Sequence, residues 1–314
     1  MKYLVTGGAG FIGSHLVDHL TSNNHDVIVL DNLSTGSLDN LHHLKKKITF
    51  IEGDIRSFDT VKEACTNVDF VLHQAALPSV QRSIDCPEET NDNNINGTLN
   101  VLRAALIANV KRVVFASSSS VYGHNPALPK TECLPTVPKS PYALSKLVGE
   151  HYCRLFYELY GLETVSLRYF NVFGPRQNPR SQYAAVIPKF ISSLLNNIAP
   201  SIYGDGYQTR DFTFVDNVVQ ANLNACLQPR IGGEIFNIAC GSQTSINQLF
   251  DIISKIISKN LQPEYFDSRA GDVRHSTADI SKAKSILAYC PNIALEIGLG
   301  KTINYYSSIN SEKK

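Results

Sequence analysis

The sequence contains no apolar run of the roughly 18 residues that a membrane-spanning helix needs. Its first residues, from Met1 to Gly7, pass directly into a strand-like segment and then into glycines. The apolar stretch and small-residue cleavage site of a secretory leader are missing there. We therefore expect a protein without a membrane partner.

An excess of charge of either sign is also missing. The chain has 29 Lys and Arg against 28 Asp and Glu, a formal net charge of +1, and no long basic stripe. Proteins that bind nucleic acid concentrate positive charge to meet the phosphate backbone. The composition therefore argues against a nucleic-acid partner.

The seven cysteines follow neither a disulfide nor a zinc-binding pattern. Their number is odd, they are scattered, and no C-x-x-C pair occurs. His15 and His19 have the i, i+4 spacing of a zinc-protease helix, but Leu16 stands where such a helix needs a glutamate. We expect reduced thiols in a cytoplasmic protein, no bound metal, and histidines that pack or lie at the surface.

The first half of the chain alternates short apolar strands with helices. Strands are predicted at 3–5, 27–30, 48–52, 70–73, 112–116 and 164–168, and helices at 11–20, 60–66, 94–109 and 142–160. Buried β-branched strands separated by helices are typical of a parallel sheet that is covered on both faces. The sequence therefore predicts an α/β fold with a doubly wound parallel sheet over residues 1–170.

The pattern becomes less regular beyond residue 170. Residues 173–183 carry two prolines and two arginines with little periodicity, which predicts a loop, and helices are predicted at 186–197 and 246–259. We expect a smaller α/β substrate-binding domain over residues 171–314. A segment near 212–240 is expected to return to the first domain.

Glycines fill the turn between the first strand and the first helix. Gly7, Gly10 and Gly13 form a G-x-x-G-x-x-G pattern, with Phe11 and Ile12 inside it. Such a turn lets the backbone approach a pyrophosphate, while the N–H groups of the helix N-terminus face its negative charge. The pattern predicts a dinucleotide site.

Asp31, at the end of the second strand, indicates which dinucleotide binds. A carboxylate there accepts hydrogen bonds from both ribose hydroxyls and repels a 2′-phosphate, which favours NAD over NADP. Further cofactor neighbours are expected after the third and fourth strands, where an ordinary turn acid and a tightly packed turn are the alternatives. These residues are Asp54, Ile55, Gln74, Ala75 and Ala76.

Tyr142 and Lys146 share one face of the long predicted helix at i and i+4. A phenol has a pKa near 10 and is a poor base at neutral pH. An ammonium about 5 Å away would stabilise the phenolate by roughly 3 kcal/mol, or about two pKa units, at an effective dielectric constant near 20. We predict that Tyr142 is a catalytic acid and base with a lowered pKa, and that Lys146 also holds the nicotinamide ribose.

A run of serines, Ser117 to Ser120, follows the strand predicted at 112–116. Side chains at the carboxyl edge of a parallel sheet face the cleft in which α/β proteins bind their ligands. The run therefore predicts hydroxyl groups beside a substrate, with a polar turn as the alternative.

In their order along the chain, these features resemble the extended short-chain dehydrogenases/reductases, and more narrowly the nucleotide-sugar 4-epimerases. The segment from Leu167 to Pro175, LRYFNVFGP, is a specific mark of that group, and the resemblance covers nearly the whole chain. It implies a Rossmann-type sheet with bound NAD. It also implies that the tyrosine moves a proton while hydride leaves C4 of a UDP-sugar and returns to its opposite face.

The resemblance assigns roles to further residues of the first domain. Ser118 matches a catalytic hydroxyl that bonds sugar O4, and Ser119 and Ser120 are expected beside the sugar. The expected additional cofactor neighbours are Asn32, Asn93 and Tyr169.

For the substrate, the resemblance implies an anchor on the diphosphate. Asn171 matches an asparagine that bonds it, and Arg210 and Arg269 match two arginines that clamp it, since a guanidinium suits a phosphate. The other residues expected to face the sugar or the uridine are Ser79, Ala185, Val186, Lys189, Ser201 and Tyr203.

Ser276 bears on the identity of the sugar. It lies seven residues after Arg269, where epimerases restricted to non-acetylated sugars carry a bulky tyrosine. A serine leaves room for an N-acetyl group at C2, so the chain is most similar to the 4-epimerases of UDP-N-acetylglucosamine and its galacto partner. A hydroxyl on an exposed loop is the alternative role for Ser276.

Other members of the fold differ at the serine run. A 4,6-dehydratase needs an Asp-Glu pair at Ser119 and Ser120, and a UDP-glucuronate decarboxylase usually has a glutamate at Ser120. A 4-epimerase of UDP-glucose only and a UDP-glucuronate 4-epimerase stay open as alternatives. A catalytically silent NAD-binding sensor is more remote, because it would lose the Tyr–Lys pair or the arginines. The resemblance further implies a homodimer formed through the helices at 94–109 and 142–160.

Overall fold

Seven parallel strands form the central sheet, in a computed structural model that describes residues 1–179, 185–268 and 273–311. The sheet order is β11-β6-β5-β4-β1-β2-β3, so the predicted doubly wound α/β fold is confirmed. The strands of the molecule are β1 (Lys2–Thr6), β2 (Asp26–Asp31), β3 (Ile48–Glu52), β4 (Phe70–His73), β5 (Arg112–Ser118), β6 (Thr164–Tyr169), β7 (Val172–Phe173), β8 (Ser201–Tyr203), β9 (Thr209–Arg210), β10 (Thr213–Phe214), β11 (Glu234–Ile238), β12 (Thr244–Ser245) and β13 (Glu264–Phe266).

Helices connect these strands and cover both faces of the sheet. The α-helices are α1 (Phe11–Ser22), α2 (Phe58–Ala64), α3 (Val80–Asp85), α4 (Pro87–Asn91), α5 (Gly97–Ile107), α6 (Pro141–Tyr160), α7 (Val186–Leu195), α8 (Val215–Leu227), α9 (Ile246–Ile257), α10 (Ser281–Ile286) and α11 (Leu295–Ser311). Two 3₁₀ helices lie at Leu38–Leu44 and Ser119–Tyr122, and a π-helical turn at Asp92–Asn96.

Two apolar cores lie on opposite faces of the central sheet. Leu16 and Leu20 of α1 meet Val218 and Ala225 of α8 on one face. On the other face, α2, α5 and α6 pack against strand residues such as Val71. Because both faces are covered, the strand residues are mostly apolar, and ligands can approach only at the edges where the strands end.

The helix bounds differ from the sequence prediction by one or two residues at several ends, and two differences are informative. Helix α2 begins at Phe58, two residues earlier than predicted, directly after Ser57 in extended backbone. The helix predicted at 94–109 is a π-helical turn over Asp92–Asn96 followed by α5. Sequence periodicity gives the helical stretch but does not show such an insertion.

The second half of the chain has its own apolar core and also rejoins the central sheet. Phe190 of α7 and Phe250 of α9 pack edge to face with ring centroids 6.0 Å apart, and Leu299 of α11 lies in the same core. Helix α8 packs on α1, and β11 pairs in parallel with β6. Most of the segment predicted as a loop at 173–183 has no regular structure where it is described, although β7 begins it.

The cysteine side chains are free thiols, of which Cys65, Cys153 and Cys226 are buried. Within the three described stretches, no helix combines the length and the apolar character that crossing a membrane would require. The lysines at 45–47 are exposed.

Candidate active site

A single large cleft of about 1810 Å³ opens at the carboxyl edge of the central sheet. It begins at the ends of β1 and β4, where the strand order reverses, which is the position in which open parallel sheets bind ligands. Its walls continue along the start of α6 and into the second half of the chain. The cleft therefore offers one space for both a dinucleotide and a second ligand.

The glycine turn forms the floor of this cleft, and only glycine fits at two of its positions. Gly7 has φ +68°, and a Cβ there would lie 2.7 Å from the backbone nitrogen of Ala75. A Cβ on Gly13 would lie 2.1 Å from the carbonyl oxygen of Gly7. Helix α1 then begins with Gly10 as its N-cap, without a side chain that caps its N–H groups. These features fit the pyrophosphate of NAD.

Asp31 ends β2 beside this turn and is held by the backbone. Its two carboxylate oxygens accept hydrogen bonds from the N–H groups of Ala9 at 2.9 Å and Leu33 at 2.8 Å. Burial raises the pKa of Asp31, while the two N–H groups oppose that shift. The carboxylate faces the cleft in a fixed orientation, as the recognition of a ribose requires.

Asp54 does not line the cleft, although Asn32 and Ile55 do. Its carboxylate pairs with Arg56, with Nη2 and Oδ2 2.8 Å apart, and accepts a hydrogen bond from Asn32 Nδ2 at 2.8 Å. The hydrogen bond from Arg56 lowers the pKa of Asp54 to about 2. Asp54 therefore supports Asn32, and its contact with the cofactor stays a prediction.

Gln74 and Tyr169 line the cleft and are connected through Asn222, a buried residue of α8 that the sequence did not single out. Asn222 Nδ2 donates to the Tyr169 hydroxyl at 2.8 Å, and Gln74 Nε2 donates to Asn222 Oδ1 at 3.1 Å. Buried polar groups are satisfied in this way. The only signal for Asn222 is an amide within an apolar helix face. The cleft is also lined by Ala75, Ala76 and Asn93.

Tyr142, Lys146 and Ser118 meet where the start of α6 faces the end of β5. Ser140 caps α6 by accepting a hydrogen bond from the Ala143 N–H, and Pro141 occupies the first helical turn. The Tyr142 hydroxyl is hydrogen-bonded to the Ser118 side chain. Tyr142 therefore presents its oxygen to the cleft beside a second hydroxyl, which itself is 2.9 Å from Ser120 Oγ.

The expected lowering of the Tyr142 pKa is wrong for the protein without ligands. Burial raises the pKa of Tyr142, and the hydrogen bond from Ser118 opposes it. Lys146 Nζ lies 6.0 Å from the centroid of the Tyr142 ring and donates to the Ala116 carbonyl at 2.8 Å. Burial lowers the pKa of Lys146 to about 8. Desolvation of both groups thus outweighs their attraction, a cost that an estimate from spacing alone leaves out.

Behind this group lies a buried ion pair that the sequence analysis missed. Arg168 of β6 and Glu150 of α6 are both nearly inaccessible to solvent, and Arg168 Nη2 lies 2.7 Å from Glu150 Oε2. The Ser117 hydroxyl donates to the same carboxylate. The ion pair connects β6 to the helix that carries Tyr142, and the Ser117 bond connects the strand that carries Ser118 to the same helix. Its signal in the sequence is Glu150, four residues after Lys146 on the same helix face.

On the opposite wall, Asn171, Arg210 and Ser276 line the cleft. Asn171 Nδ2 donates to the Asp211 carbonyl at 3.2 Å, and the Ser276 N–H donates to the Thr209 carbonyl at 3.1 Å. These bonds place all three side chains around strand β9. Arg269, the second arginine expected at the diphosphate, lies outside the described residues.

Asp211, next to Arg210, is a buried carboxylate that the sequence analysis passed over. Its oxygens accept hydrogen bonds from the backbone N–H groups of Cys240 at 2.9 Å, Gly241 at 3.0 Å and Ala278 at 3.2 Å. Burial raises the pKa of Asp211 to about 6 against those bonds. The residue ties β9 to the end of β11 and to the segment that carries Ser276.

Only one member of the set of residues expected to face the uridine lines the cleft. Ala185 lines the cleft, as do Ser79, Ser119 and Ser120 elsewhere on its wall. The members of the expected set that do not line it are Val186, Lys189, Ser201 and Tyr203. Instead, the cleft is lined from this side by Ser192, Leu195 and Asn196 of α7 and by Tyr305, Tyr306 and Ile309 of α11.

The two histidines of α1 have no metal-binding arrangement. His15 Nε2 lies 3.1 Å from the Pro175 carbonyl oxygen. No cluster of three or more potential metal-ligating side chains occurs among residues 1–179, 185–268 and 273–311.

Comparison with known proteins agrees with this geometry. Residues 3–239 match the NAD dependent epimerase/dehydratase family. A UDP-glucose 4-epimerase of Mycolicibacterium smegmatis is 40% identical over 98% of this chain and 98% of its own length. The solved UDP-N-acetylglucosamine 4-epimerase of Methanobrevibacter ruminantium, in complex with UDP-N-acetylmuramic acid, is 42% identical with a TM-score of 0.95, covering 98% of each chain.

A second solved structure, the UDP-glucose 4-epimerase of Thermotoga maritima with UDP-glucose, is 39% identical with a TM-score of 0.94 and covers 99% of this chain and all of its own. The match to the family model spans the glycine turn, Asp31, the serine run and the Tyr–Lys helix. The chain therefore belongs to the NAD-dependent epimerase/dehydratase family, and NAD is its cofactor.

Proposed function

We propose that the protein interconverts UDP-N-acetylglucosamine and UDP-N-acetylgalactosamine through a transient 4-keto sugar. The chain is an NAD-dependent UDP-sugar 4-epimerase, and hence an isomerase. The choice of an N-acetylated sugar depends on one observation. A small side chain, Ser276, lies on the cleft wall beside Arg210, where a bulky residue would narrow the sugar site.

Tyr142 is the group to which we assign proton transfer. When bound, NAD accepts the hydride of sugar C4 and later returns it to the opposite face. Tyr142, as a phenolate, takes the proton of the O4 hydroxyl as the C4 hydride leaves, and gives it back when the hydride returns. Ser118, hydrogen-bonded to the Tyr142 hydroxyl, is in position to hold O4 beside it.

Lys146 supplies the positive charge that this proton transfer needs. Its pKa of about 8 leaves the ammonium largely protonated at pH 7. Deprotonation of Tyr142 places a negative charge near that ammonium, and attraction between opposite charges is strong in a buried site. Lys146 therefore favours the phenolate form of Tyr142, against the burial that raises the pKa of Tyr142.

Asn171 and Arg210 form the proposed anchor for the substrate diphosphate. Both line the cleft on the wall opposite the glycine turn. Arg210 Nη1 donates to the Thr209 carbonyl at 2.9 Å, which fixes the guanidinium on β9. The 4-keto sugar must turn over between its two reactions with hydride. A fixed anchor on the diphosphate lets the sugar turn while the nucleotide stays bound.

Ser276 is held firmly enough to define the width of the sugar site. Its N–H bonds to Thr209, and the adjacent His275 Nδ1 lies 2.9 Å from Thr209 Oγ1. A residue on a fixed wall sets the space available to a substituent at C2. Serine leaves that space open, which supports a sugar carrying an N-acetyl group.

We further propose a homodimer formed through α5 and α6. Apolar side chains are exposed on these helices, with Ile107 at 56%, Leu155 at 44% and Leu159 at 66%. Exposed apolar groups on neighbouring helices are typical of protein interfaces. Light scattering should give twice the chain mass of 34.6 kDa, and Leu159→Lys should reduce it. A wild-type mass of one chain contradicts the dimer.

The substrate proposal is tested by NMR time courses of the purified protein with NAD⁺ and one UDP-sugar per tube. We expect UDP-N-acetylglucosamine to convert to its galacto epimer. Conversion of UDP-glucose alone would keep the epimerase chemistry and overturn the role of Ser276. Conversion of UDP-glucuronate alone would identify the protein as a uronate epimerase, and no conversion in any tube would favour a silent NAD-binding protein.

A further inference from the structure

Arg176, which follows the LRYFNVFGP segment, has an unusual backbone conformation in the wall of the cleft. Its φ is +67°, in the left-handed region that residues other than glycine rarely adopt. Such residues persist only where the surrounding structure holds them, and they cluster at ligand sites. The side chain lines the cleft together with that of Gln177.

Two contacts hold this segment against α1. His15 Nε2 lies 3.1 Å from the Pro175 carbonyl oxygen, and Arg176 Nη2 lies 2.7 Å from Asp18 Oδ2. The other oxygen of Asp18 is 2.7 Å from His43 Nε2. The guanidinium is therefore fixed beside α1, and through Asp18 it is linked to the 3₁₀ helix Leu38–Leu44.

That 3₁₀ helix is itself attached to the glycine turn. Asn40 Nδ2 donates to the Ala9 carbonyl at 2.8 Å, and the Ser37 N–H donates to the same oxygen at 3.1 Å. Both Asn40 and Ser37 line the cleft. Arg176 is thus connected, through Asp18 and this 3₁₀ helix, to the glycine turn at the start of α1, where the helix N-terminus attracts anions.

The Arg176 guanidinium retains an unused donor in this position. The side chain is only 15% exposed, and its Nη1 is buried without a hydrogen-bond partner among the described residues. The Oε1 atom of Gln177 is also buried and unpartnered, while its Nε2 donates to the Val172 carbonyl at 3.3 Å. A buried charged donor without a partner is costly, so a ligand that supplies an acceptor would be stabilised here.

The end of α11 covers the same segment. The Tyr306 hydroxyl donates to the Gln177 carbonyl. Tyr305 lies close enough to Arg176 for the guanidinium to oppose the rise that burial causes in the Tyr305 pKa. Both tyrosines line the cleft, so they shield Arg176 from water and strengthen any charge-assisted bond it forms.

We infer that Arg176 donates from Nη1 to a diphosphate oxygen of a bound ligand, and that this ligand is the dinucleotide cofactor. The nucleotide-sugar also carries a diphosphate, and a guanidinium would recognise either. The proposed substrate anchor, however, is held at β9 by hydrogen bonds to the carbonyls of Thr209 and Asp211. Arg176 is instead held by an ion pair with Asp18 of α1. Arg176 thus adds a cation to the part of the cofactor wall that is formed around the glycine turn.

The test measures ligand affinity of the full-length protein freed of nucleotide. Arg176→Ala is compared with Arg154→Ala, which removes an exposed arginine of α6 that forms an ion pair with Glu158. Isothermal titration with NAD⁺, ADP-ribose, adenosine and UDP separates the ligand parts. We expect Arg176→Ala to weaken NAD⁺ and ADP-ribose by roughly 10- to 150-fold, as for the loss of a hydrogen bond to a charged group. Adenosine and UDP should change by less than about twofold, and Arg154→Ala should change nothing.

Two results would overturn the inference. Unchanged affinity of Arg176→Ala for NAD⁺ and ADP-ribose would leave Arg176 with a structural role only, as a contact between α1 and the second half of the chain. A loss confined to UDP would assign the residue to the substrate diphosphate. The assay contains no sugar and needs no turnover, so it can fail while the epimerase proposal holds, or succeed while that proposal fails.

Two further variants separate binding from support of the fold. Asp18→Asn removes the ion pair but keeps the guanidinium, so NAD⁺ affinity should fall by less than about threefold; a loss equal to that of Arg176→Ala would overturn the inference. Arg176→Lys keeps the positive charge but lacks a second terminal nitrogen. It replaces Arg176→Ala in the titrations if the alanine variant does not fold. It should retain the ligand-free melting temperature and still lose at least about fivefold in NAD⁺ affinity. Wild-type affinity in that variant would contradict the role of Nη1.

Discussion

The two walls of the cleft differ in what determines them. On the cofactor wall, the critical positions are backbone features: a glycine turn with φ +68° at Gly7, a strand end at Asp31 and a helix start at Phe11. On the substrate wall, the residues are assembled from β9, α7, α11 and connecting segments that are distant in sequence. A local sequence motif can specify the cofactor wall, whereas the substrate wall depends on tertiary contacts between segments that are distant in sequence.

The buried carboxylates of the two walls, Asp31 and Asp211, differ in the same way. Asp31 accepts two hydrogen bonds from residues within 22 positions of it. Asp211 is held by backbone groups 29 to 67 positions away. Changes on the cofactor wall should therefore act locally on NAD binding. Changes on the substrate wall should also affect how distant segments pack.

The largest expected effect is the loss of turnover when Tyr142, which lies between the two walls, is changed. Tyr142→Phe removes the hydroxyl that transfers the proton, so turnover should fall by about 10²- to 10⁴-fold. NAD affinity should stay within about twofold, because the ring and α6 are kept. Steady-state kinetics and NAD titration measure both. Tyr160→Phe, at the exposed end of the same helix, is the matched control. Near-normal turnover of Tyr142→Phe would contradict the mechanism.

The cofactor wall is most sharply tested at Gly13. In Gly13→Ala the new Cβ would lie 2.1 Å from the Gly7 carbonyl oxygen, so the turn must open. We expect NAD affinity to fall by about 100-fold, the effect of losing roughly 3 kcal/mol of binding. Gly300→Ala is the control, because a Cβ there meets nothing within 4 Å. Equal NAD affinity in the two variants would refute the close approach of the backbone to the cofactor.

The sequence predicted the cofactor half well for physical reasons. Strand periodicity, the glycine spacing and Asp31 are local properties, and the parallel sheet follows from alternating strands and helices. Asn222 and Glu150 were missed because each is meaningful only through partners on other elements. The raised pKa of Tyr142 was missed because burial cannot be obtained from the spacing of two residues.

On the substrate half, Arg210 and Ser276 line the cleft, whereas part of the set of residues expected to face the uridine does not. Tyr203 is 37% exposed and packs on Phe266, with ring centroids 5.8 Å apart, away from the cleft. Tyr203 lies in β8, which has only three residues. In so short a strand, the alternation of side chains does not show which face meets a ligand. Tyr305 and Tyr306 of α11 reach the cleft only because the last helix packs back over the chain.

A change at Ser276 tests the sugar site on the substrate wall. Ser276→Tyr should lower kcat/KM for the N-acetylated sugar by about tenfold or more, because its ring occupies the space of the substituent. kcat/KM for UDP-glucose should change little. Ser276→Ala, which keeps the space open, should behave like the wild type on both. An equal loss on the two sugar classes would remove Ser276 from specificity.

An effect of a different kind, on stability rather than on activity, is expected in the pH dependence of unfolding. Burial raises the pKa of the native Asp211 carboxyl to about 6, whereas in the unfolded chain the pKa has the ordinary aspartate value of about 3.9. Between these values the native state binds more protons, so the contribution of Asp211 to the free energy of unfolding falls as the pH rises, by about 3 kcal/mol in all.

Urea unfolding between pH 4 and 7 checks this slope. Asp211→Asn cannot titrate, so it should lose that part of the pH dependence. Asp251→Asn, an exposed position on α9, should keep it. The same slope in wild type and Asp211→Asn would contradict the buried, protonated carboxyl.

The central claim is that the two walls hold a cofactor and a sugar so that hydride leaves C4 and returns to the same carbon. It is tested most directly with UDP-N-acetylglucosamine labelled with deuterium at C4, incubated with the enzyme and NAD⁺ in ordinary water. The account predicts that the galacto epimer keeps its deuterium at C4, as seen by NMR and mass spectrometry. Loss of the label to solvent, with a solvent proton at C4 of the product, would contradict it.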